Sequence, residues 1–342
     1  MNRSSATPPS GRPPAAVPPA PWQTILAEAV RDAEELCRLL DLPAEVLRDA
    51  RWAPVGFPLL VPRPYLARMR RGDPHDPLLR QVLPLAMEGG EVPGFSKDPL
   101  AEAETAADGL LTKYANRSLI VAAGACAVHC RYCFRRHFPY AELGGHMPRW
   151  EGILTRLAGS TTIHEVILSG GDPLTISDRR LAELAARLAE IPHLRRLRIH
   201  TRLPVVIPQR ITDALLDGVL GTRLTTWVVI HVNHPAEIDS DVAAALVRLV
   251  KAGIPVLNQS VLLRGVNDSV EVMAELCERL IDLRIAPYYL HQLDRVAGAS
   301  HFDVPEAVGR EIIASLRPLL PGYAIPRYVR EVPGVDHKRT VT

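Results

Sequence analysis

Three cysteines lie within eight residues of one another in the segment GACAVHCRYCFRR, which spans 124–136. Cys126, Cys130 and Cys133 are spaced C-x3-C-x2-C, and the whole chain of 342 residues has only five cysteines. Thiolates are soft ligands that select zinc, Cu(I) and iron–sulfur clusters. The spacing therefore predicts a soft metal centre on one short loop, with a coordination position left open by the three protein ligands.

Local spacing leaves three interpretations of this array open. Positions i, i+4 and i+7 also share one face of a helix, so the cysteines could be buried structural residues. A zinc site would take His129 or His137 as its fourth ligand, because three cysteines and one histidine form a known zinc set. A 4Fe–4S cluster would use the three cysteines and leave its fourth iron free to bind a substrate or cofactor.

The composition is that of an ordinary globular protein, with 47% hydrophobic and 23% charged residues. A net charge of +2 gives no reason to expect nucleic acid or a membrane as partner. Clustered cysteines do not resemble a disulfide framework, which favours a reducing compartment. The sequence has no membrane-spanning apolar run and no secretory signal, so we expect a cytoplasmic protein.

The organisation changes along the chain. Residues 1–21 are rich in proline and predict a disordered tail, because such a segment buries little apolar surface. Residues 22–110 form a predicted helical region, with helices over 22–40, 62–71 and 76–88. The predicted core covers 111–330, and 331–342 form a separate C-terminal segment.

Within the core, short β-rich runs alternate with amphipathic helical segments, which is typical of βαβ units and a parallel sheet. The predicted strands are Ser118–Ala123, Glu165–Ser169, Arg196–Thr201, Thr226–Val232, Val256–Leu263 and Ile285–His291. The predicted helices lie near 148–158, 178–190, 211–220, 237–252, 268–282 and 304–317. Six units predict an α/β fold, a partial (β/α)6 TIM-type barrel with an N-terminal helical extension.

Polar residues follow the ends of these predicted strands. In such barrels the loops after the carboxyl ends of the strands carry the active site. The cysteine array follows the first strand, Ser169-Gly170-Gly171-Asp172 follows the second, and Asp294 lies just past the sixth. We therefore expect these residues to meet at one rim.

Together, the cysteine array after a first strand and the SGGD segment at 169–172 resemble the radical S-adenosylmethionine (SAM) enzymes. The resemblance narrows to the lysine 2,3-aminomutase family. It is carried by LLTKYANRSLIVAAGACAVHCRYCFRR (110–136), ILSGGDPL (167–174), TRLPVVIPQRIT (201–212), HVNHP (231–235), LNQSVLLRGVND (257–268), PYYLHQLD (287–294) and HF (301–302).

This resemblance implies the cluster and SAM contacts. Cys126, Cys130 and Cys133 would hold a 4Fe–4S cluster, whose open iron binds SAM. The residues matching SAM-binding positions are Ser169, Gly170, Gly171, Asp172, His231 and Gln259. An external one-electron reductant of the flavodoxin or ferredoxin type is implied as partner.

The family also uses pyridoxal 5′-phosphate (PLP), which needs a lysine for its Schiff base. The chain has four lysines, Lys97, Lys113, Lys251 and Lys338. Lys338 follows a Pro-Gly turn, as the Schiff-base lysine of the family does. The resemblance implies that Lys113, Tyr114 and Arg117 bind the cofactor phosphate.

Substrate contacts follow from the same resemblance. Arg135 matches an arginine that holds the substrate carboxylate, and its forked guanidinium suits that contact. Asp294 matches a carboxylate that binds the ε-ammonium of L-lysine, and Glu331 stands where long lysine aminomutases have a second aspartate. Two alternatives remain open, an aminomutase of arginine or glutamate and a zinc-binding module without enzymatic activity. Asp294 counts against glutamate, since two carboxylates repel.

Three features resemble the short branch that makes (R)-β-lysine for modification of elongation factor P. They are the short chain, Glu331 and the position of Lys338 four residues from the end. This branch implies a ligase acting on elongation factor P as recipient of the product.

Overall fold

The computed structural model describes residues 21–54, 56–102, 109–140 and 150–342. The predicted disordered tail, 1–21, lies outside these ranges except for Pro21.

One sheet forms the centre of the molecule, and its strands follow chain order from one edge to the other. Strands β2 to β8 are parallel, while β1 and β9 pair antiparallel at the two edges. The strands are β1 Leu110–Tyr114, β2 Arg117–Ala123, β3 Glu165–Gly170, β4 Arg196–Thr201, β5 Thr225–His231, β6 Val256–Val261, β7 Ala286–His291, β8 Arg327–Arg330 and β9 Arg339–Thr340.

Helices precede the sheet and then alternate with its strands. The N-terminal helices are α1 Trp22–Ala27, α2 Ala33–Leu39, α3 Ala44–Arg51, α4 Arg63–Leu66 and α5 Pro77–Arg80. The helices between strands are α6 Trp150–Gly159, α7 Asp178–Ala189, α8 Leu203–Val206, α9 Asp213–Leu220, α10 Ser240–Lys251, α11 Val270–Asp282 and α12 Glu306–Leu316. Short 3-10 turns cover Ala86–Gly89, Pro173–Thr175, Pro208–Arg210, Pro235–Glu237, Ser300–Phe302 and Gly322–Ala324.

Capping side chains define where three of the crossover helices begin. Thr212, Asp239 and Ser269 accept hydrogen bonds from the backbone N–H three residues later. These contacts satisfy N–H groups that have no partner inside the helix. Each connection can therefore turn sharply from a strand end into a helix.

Strand β4 shows how alternating residue types place some side chains in the hydrophobic core and others in the cavity inside the barrel. Leu197 and Ile199 are buried in the main hydrophobic core, while the intervening Arg198 and His200 line the central cavity. Successive strand residues point to opposite faces, so RLRIHT places charge on one face only. Charged side chains of β4 are consequently available inside the barrel to contact a ligand.

The partial barrel predicted from the sequence is confirmed, and it has seven parallel strands rather than six. All six predicted parallel strands are present within two residues of their predicted ends. The additional strand, β8, has the sequence RYVR with both arginines exposed. Four residues with two charges give no β-rich run, which is why the pattern missed it.

The N-terminal helices are shorter than predicted. The predicted helix over 22–40 is broken at Val30, whose N–H donates to the carbonyl of Val61 at 2.8 Å. Strand β1 begins at Leu110 and so crosses the boundary predicted between 110 and 111. Buried Trp22, Leu36 and Leu78 share one hydrophobic cluster with the barrel helices.

In the described ranges, no helix combines the length and apolar character needed to cross a membrane.

Candidate active site

A cavity of about 770 Å³ lies inside the barrel. Every residue to which the family resemblance gave a role lines it. These are Lys113, Tyr114, Arg117, Cys126, Cys130, Cys133, Arg135, Ser169, Gly170, Gly171, Asp172, His231, Gln259, Asp294, Glu331 and Lys338. The polar residues expected to meet at one rim of the barrel therefore line a single cavity.

The cysteine loop follows β2 and is held by the N-terminal region. The N–H of Arg131 donates to the carbonyl of Gln81 at 2.8 Å, and the N–H of His129 donates to that of Leu60 at 3.1 Å. Within the loop, the N–H of Cys133 donates to the carbonyl of Cys130 at 3.0 Å. The loop is a turn rather than a helix face, which removes the interpretation of the cysteines as a helical core stripe.

Burial and mutual proximity disfavour free thiolates in this loop. Burial, then the negative charge of neighbouring thiolates, raises the pKa of Cys126 well above its ordinary value and that of Cys133 to about 11. A bound metal centre supplies the positive charge that replaces the thiol protons. The donor set therefore fits a cationic thiolate-bound group.

Each histidine that could complete a zinc site has a ring nitrogen beside a backbone carbonyl. His129 Nδ1 lies 2.8 Å from the carbonyl of Pro58, and His137 Nε2 lies 3.0 Å from that of Ala297.

Two glycines at the end of β3 let the strand pack on the cysteine loop. A Cβ on Gly171 would lie 2.3 Å from the carbonyl oxygen of Ala125, and one on Gly170 would lie 2.8 Å from that of Ala123. Gly170 also has a φ of +108°, which side chains disfavour. The glycines fix the distance between the two segments assigned to the cluster and to SAM.

Asp172 joins β3 to β4. Its carboxylate accepts hydrogen bonds from Thr201 Oγ1 at 2.7 Å and from the N–H groups of Leu174, Arg202 and Leu203. Burial raises its pKa, although these donors act in the opposite direction. The carboxylate of Asp172 is therefore occupied by hydrogen bonds from the protein itself.

His231 and Gln259 face each other across β5 and β6, where they are register partners. Gln259 Nε2 lies 2.8 Å from His231 Nε2. Burial, then the positive charges of Arg202 and Arg135, lowers the pKa of His231 to about 3. His231 is consequently neutral and presents a hydrogen-bonding imidazole to the cavity.

At the opposite end, Glu331 lies between two lysines. Lys338 Nζ donates to Glu331 Oε1 at 2.8 Å, and Lys113 Nζ lies 3.7 Å from the same oxygen. Burial acts to raise the pKa of Glu331, but the charges of the two lysines prevail and lower it. Glu331 is therefore an ionised partner of the predicted cofactor lysine.

Asp294 has the opposite electrostatic character. Burial raises its pKa to about 7, with Lys338 acting against the shift. A carboxylate that is difficult to ionise in the unliganded protein is stabilised in its charged form by an incoming cation. This side chain is well suited to bind an ammonium group.

Arg135 provides a buried cation. Its Nε donates to Glu102 Oε2 at 2.8 Å, and its Nη1 donates to Ser169 Oγ at 3.2 Å. It is 8% exposed and lines the cavity. A substrate carboxylate could share or replace the contact with Glu102.

The hairpin of β1 and β2 contributes further positive charge. The guanidinium of Arg117 lies 3.7 Å from the ring centroid of Tyr114, and Lys113 precedes them on the same hairpin. Arg196 and Arg198 of β4 line the same cavity. Cationic side chains with a tyrosine suit a phosphate group.

The sequence analysis missed several cavity residues. Arg196, Arg198 and His200 alternate along β4, and the period of two in RLRIHT would have assigned them to the interior. Tyr289, whose ring centroid lies 5.9 Å from Lys338 Nζ, follows the same rule on β7. Arg202, which contacts Cys130, lies in the stretch TRLPVVIPQRIT that carries the family resemblance, but the resemblance assigned it no role.

Comparison with known proteins agrees with this geometry. Residues 120–277 match the Radical SAM superfamily. The chain is 48% identical over 318 residues to the L-lysine 2,3-aminomutase of Escherichia coli K12, covering 93% of each chain. It is 46% identical to that of Haemophilus influenzae, covering 93% of this chain and 94% of the relative.

A longer relative shares the same name. The L-lysine 2,3-aminomutase of Clostridium subterminale is 36% identical over 322 residues, which are 94% of this chain and 77% of the relative. Matches of this length include the cysteine loop and strands β1 to β7. The chain therefore belongs to the L-lysine 2,3-aminomutase family of the Radical SAM superfamily.

Proposed function

We propose that the protein converts L-α-lysine to (R)-β-lysine by moving the amino group from the α-carbon to the β-carbon. The observation that carries this proposal is the single cavity joining the cysteine loop, Lys338, a buried arginine and two carboxylates. The relatives named L-lysine 2,3-aminomutase support it.

The family implies a 4Fe–4S cluster, SAM and PLP. When bound, the cluster and SAM supply a hydrogen-abstracting adenosyl radical, and PLP carries the migrating amino group. In our proposal Cys126, Cys130 and Cys133 hold the cluster, and Lys338 anchors PLP. Lys113, Tyr114 and Arg117 bind the cofactor phosphate, a role supported by their clustering on one hairpin.

The SAM residues are proposed on the same basis. The backbone of Ser169, Gly170 and Gly171 and the side chains of His231 and Gln259 contact SAM beside the cysteine loop. Asp172 contributes indirectly, because its engaged carboxylate holds the ends of β3 and β4 together.

Recognition of lysine requires one cation and at least one anion at separate positions. Arg135 binds the α-carboxylate, and Asp294 binds the ε-ammonium with Glu331 beside it. We assign Asp294 the leading role because Glu331 is already paired with Lys338 at 2.8 Å. The side-chain carboxylate of glutamate would meet these acids and be repelled, whereas arginine would satisfy them.

Our finer proposal concerns the pathway. A flavodoxin or ferredoxin supplies the electron, and the product passes in the cytoplasm to a ligase that modifies elongation factor P. The identity to the E. coli relative, 48% against 36% for the clostridial one, supports the branch that includes the E. coli protein.

The test is a substrate panel. Anaerobically purified protein, reconstituted with iron, sulfide and PLP, is incubated with dithionite, SAM and separately with L-lysine, L-arginine or L-glutamate. We expect a β-isomer from lysine alone, identified by chiral chromatography. A β-isomer from arginine would replace the substrate assignment, and protein containing zinc without iron or sulfide would refute the enzyme itself.

A further inference from the structure

We infer that Arg202 sets the reduction potential of the iron–sulfur cluster by donating a charged hydrogen bond to Cys130, which rests on the proposed assignment of the cysteines as cluster ligands. Arg202 Nη1 lies 2.7 Å from Cys130 Sγ. Arg202 stands outside the cysteine motif, 72 residues along the chain from Cys130. It is a positioning residue that acts through the thiolate.

The backbone of Arg202 is fixed at the end of β4. Its N–H donates to Asp172 Oδ2 at 2.7 Å, and Asp172 itself follows the glycines that pack on the cysteine loop. The residue is 6% exposed. Its contact with Cys130 is therefore shielded from water, where a charged hydrogen bond is strongest.

The guanidinium is held by several acceptors at once. Nη1 also donates to Tyr132 Oη at 2.7 Å, and Nη2 donates to Gln81 Oε1 at 2.7 Å and Glu237 Oε2 at 2.9 Å. Asn233 Nδ2 in turn donates to Tyr132 Oη and Gln81 Oε1. A side chain held by this network cannot swing away from the sulfur without breaking several buried bonds.

The three cysteines are consequently not equivalent. Among the described residues, Cys130 is the one cysteine of the loop whose sulfur accepts a hydrogen bond from a charged side chain. A thiolate that accepts a charged hydrogen bond gives less electron density to iron, and a nearby cation stabilises the additional electron of the reduced cluster. Arg202 should therefore make the cluster easier to reduce.

The carboxylate of Glu237 offsets part of the positive charge of Arg202, but its position keeps this offset incomplete at Cys130. Its Oε2 accepts from Nη2, while Nη1 contacts the sulfur. The guanidinium is thus closer to the thiolate than the carboxylate is, and Coulomb energy falls with distance. The net effect at Cys130 remains that of a cation.

The experiment is a redox titration of anaerobically reconstituted holoenzyme without SAM, followed by electron paramagnetic resonance of the reduced cluster. In Arg202→Gln we expect the ratio of reduced to oxidised cluster at a fixed potential to fall about tenfold, a shift of about 59 mV for one electron. Arg202→Lys retains the charge and should show a smaller fall. Tyr132→Phe removes one of the several acceptors that hold the guanidinium and should shift the midpoint by less than Arg202→Gln.

Iron and sulfide content separates the possible failures. Wild-type midpoints in both Arg202 variants, with the cluster present, would overturn the inference and leave the proposed function intact. If Arg202→Gln lacks the cluster, the midpoint of Arg202→Lys tests the inference instead. Loss of the cluster from both variants would show that Arg202 has a folding role, and this result would also overturn the inference. Absence of a cluster from the unaltered protein would refute the proposed function.

Discussion

The two ends of the cavity differ in how many of their buried polar atoms have hydrogen-bond partners. At the cysteine end, the terminal nitrogens of Arg202 and both oxygens of Asp172 have protein partners, and Arg202 Nε is the exception. At the lysine end, Lys113 Nζ, Glu331 Oε2, His200 Nε2 and His291 Nε2 are buried without a hydrogen-bond partner.

A buried polar atom without a partner is costly, and these atoms line the cavity, where a bound ligand or water can satisfy them. The cysteine end is built in advance to hold a reactive centre in one geometry. The lysine end keeps polar atoms without hydrogen-bond partners, which a cofactor and a substrate could contact. The predictions below test this difference, beginning with the largest expected effect.

Cys126→Ala should abolish activity, because two cysteines cannot retain the cluster at the prearranged end. Iron and sulfide per chain and the visible absorbance of the reconstituted protein measure the loss. The control is Cys277→Ala, which removes a buried thiol in α11 and should keep full iron content. Equal iron in Cys126→Ala and unaltered protein would contradict the ligand assignment.

Lys338→Ala should remove the absorbance band of the lysine-bound PLP and reduce turnover to background, since Lys338 is the proposed anchor. Lys251→Ala, at the exposed end of α10, should change neither. The measurement is the absorbance spectrum after gel filtration with PLP. A band that survives in Lys338→Ala would assign the cofactor to another lysine.

Asp294→Asn should weaken lysine binding by roughly tenfold or more, because a buried charge pair is lost. In the unaltered protein, affinity should fall as the pH drops below about 7, where Asp294 becomes protonated. The variant should lack this dependence. Calorimetric titration of lysine between pH 6 and 8, roughly one unit either side of that pKa, measures both.

The same substitution should stabilise the unliganded protein at high pH. Burial raises the pKa of Asp294, so the folded state binds more protons than the unfolded state up to about pH 7. Stability from this group is therefore lost as the pH rises through that value. A higher melting temperature for Asp294→Asn at pH 8 than for the unaltered protein is expected, and a lower one would exclude a strained carboxylate.

Gly171→Ala should cost about 1–3 kcal/mol of stability, because its Cβ would overlap the carbonyl of Ala125. The variant should also take up less iron. Gly152→Ala in α6 is the matched control, since its Cβ meets nothing within 4 Å and alanine favours a helix. Denaturant unfolding of both proteins gives the comparison, and equal stability would show that the loop tolerates displacement.

Sequence periodicity predicted the parallel strands because their apolar runs are long enough to be recognised in the sequence. It missed β8, whose RYVR sequence carries two exposed charges and owes its pairing to β7. It also joined α1 and α2, because local spacing gives no sign of the bridge between Val30 and Val61. Tertiary partners decided both differences.

The family resemblance identified residues that the structure places in one cavity. It could not predict the contacts that these residues make with one another. The sequence shows that Asp172 follows two glycines, yet only the fold directs its carboxylate to Thr201 and Arg202. The contact between Arg202 and Cys130 joins residues from different strand ends. Such long-range pairings leave no local pattern.

The two antiparallel edge strands have a consequence for association. Strand β1 carries Lys113 and Tyr114, and β9 begins one residue after Lys338. These strands cover the outer edges of the parallel sheet, whose unpaired backbone groups would otherwise recruit another chain. Fraying of β9 would release the proposed cofactor lysine and expose the edge of β8 together, so loss of PLP and self-association should occur in the same molecules.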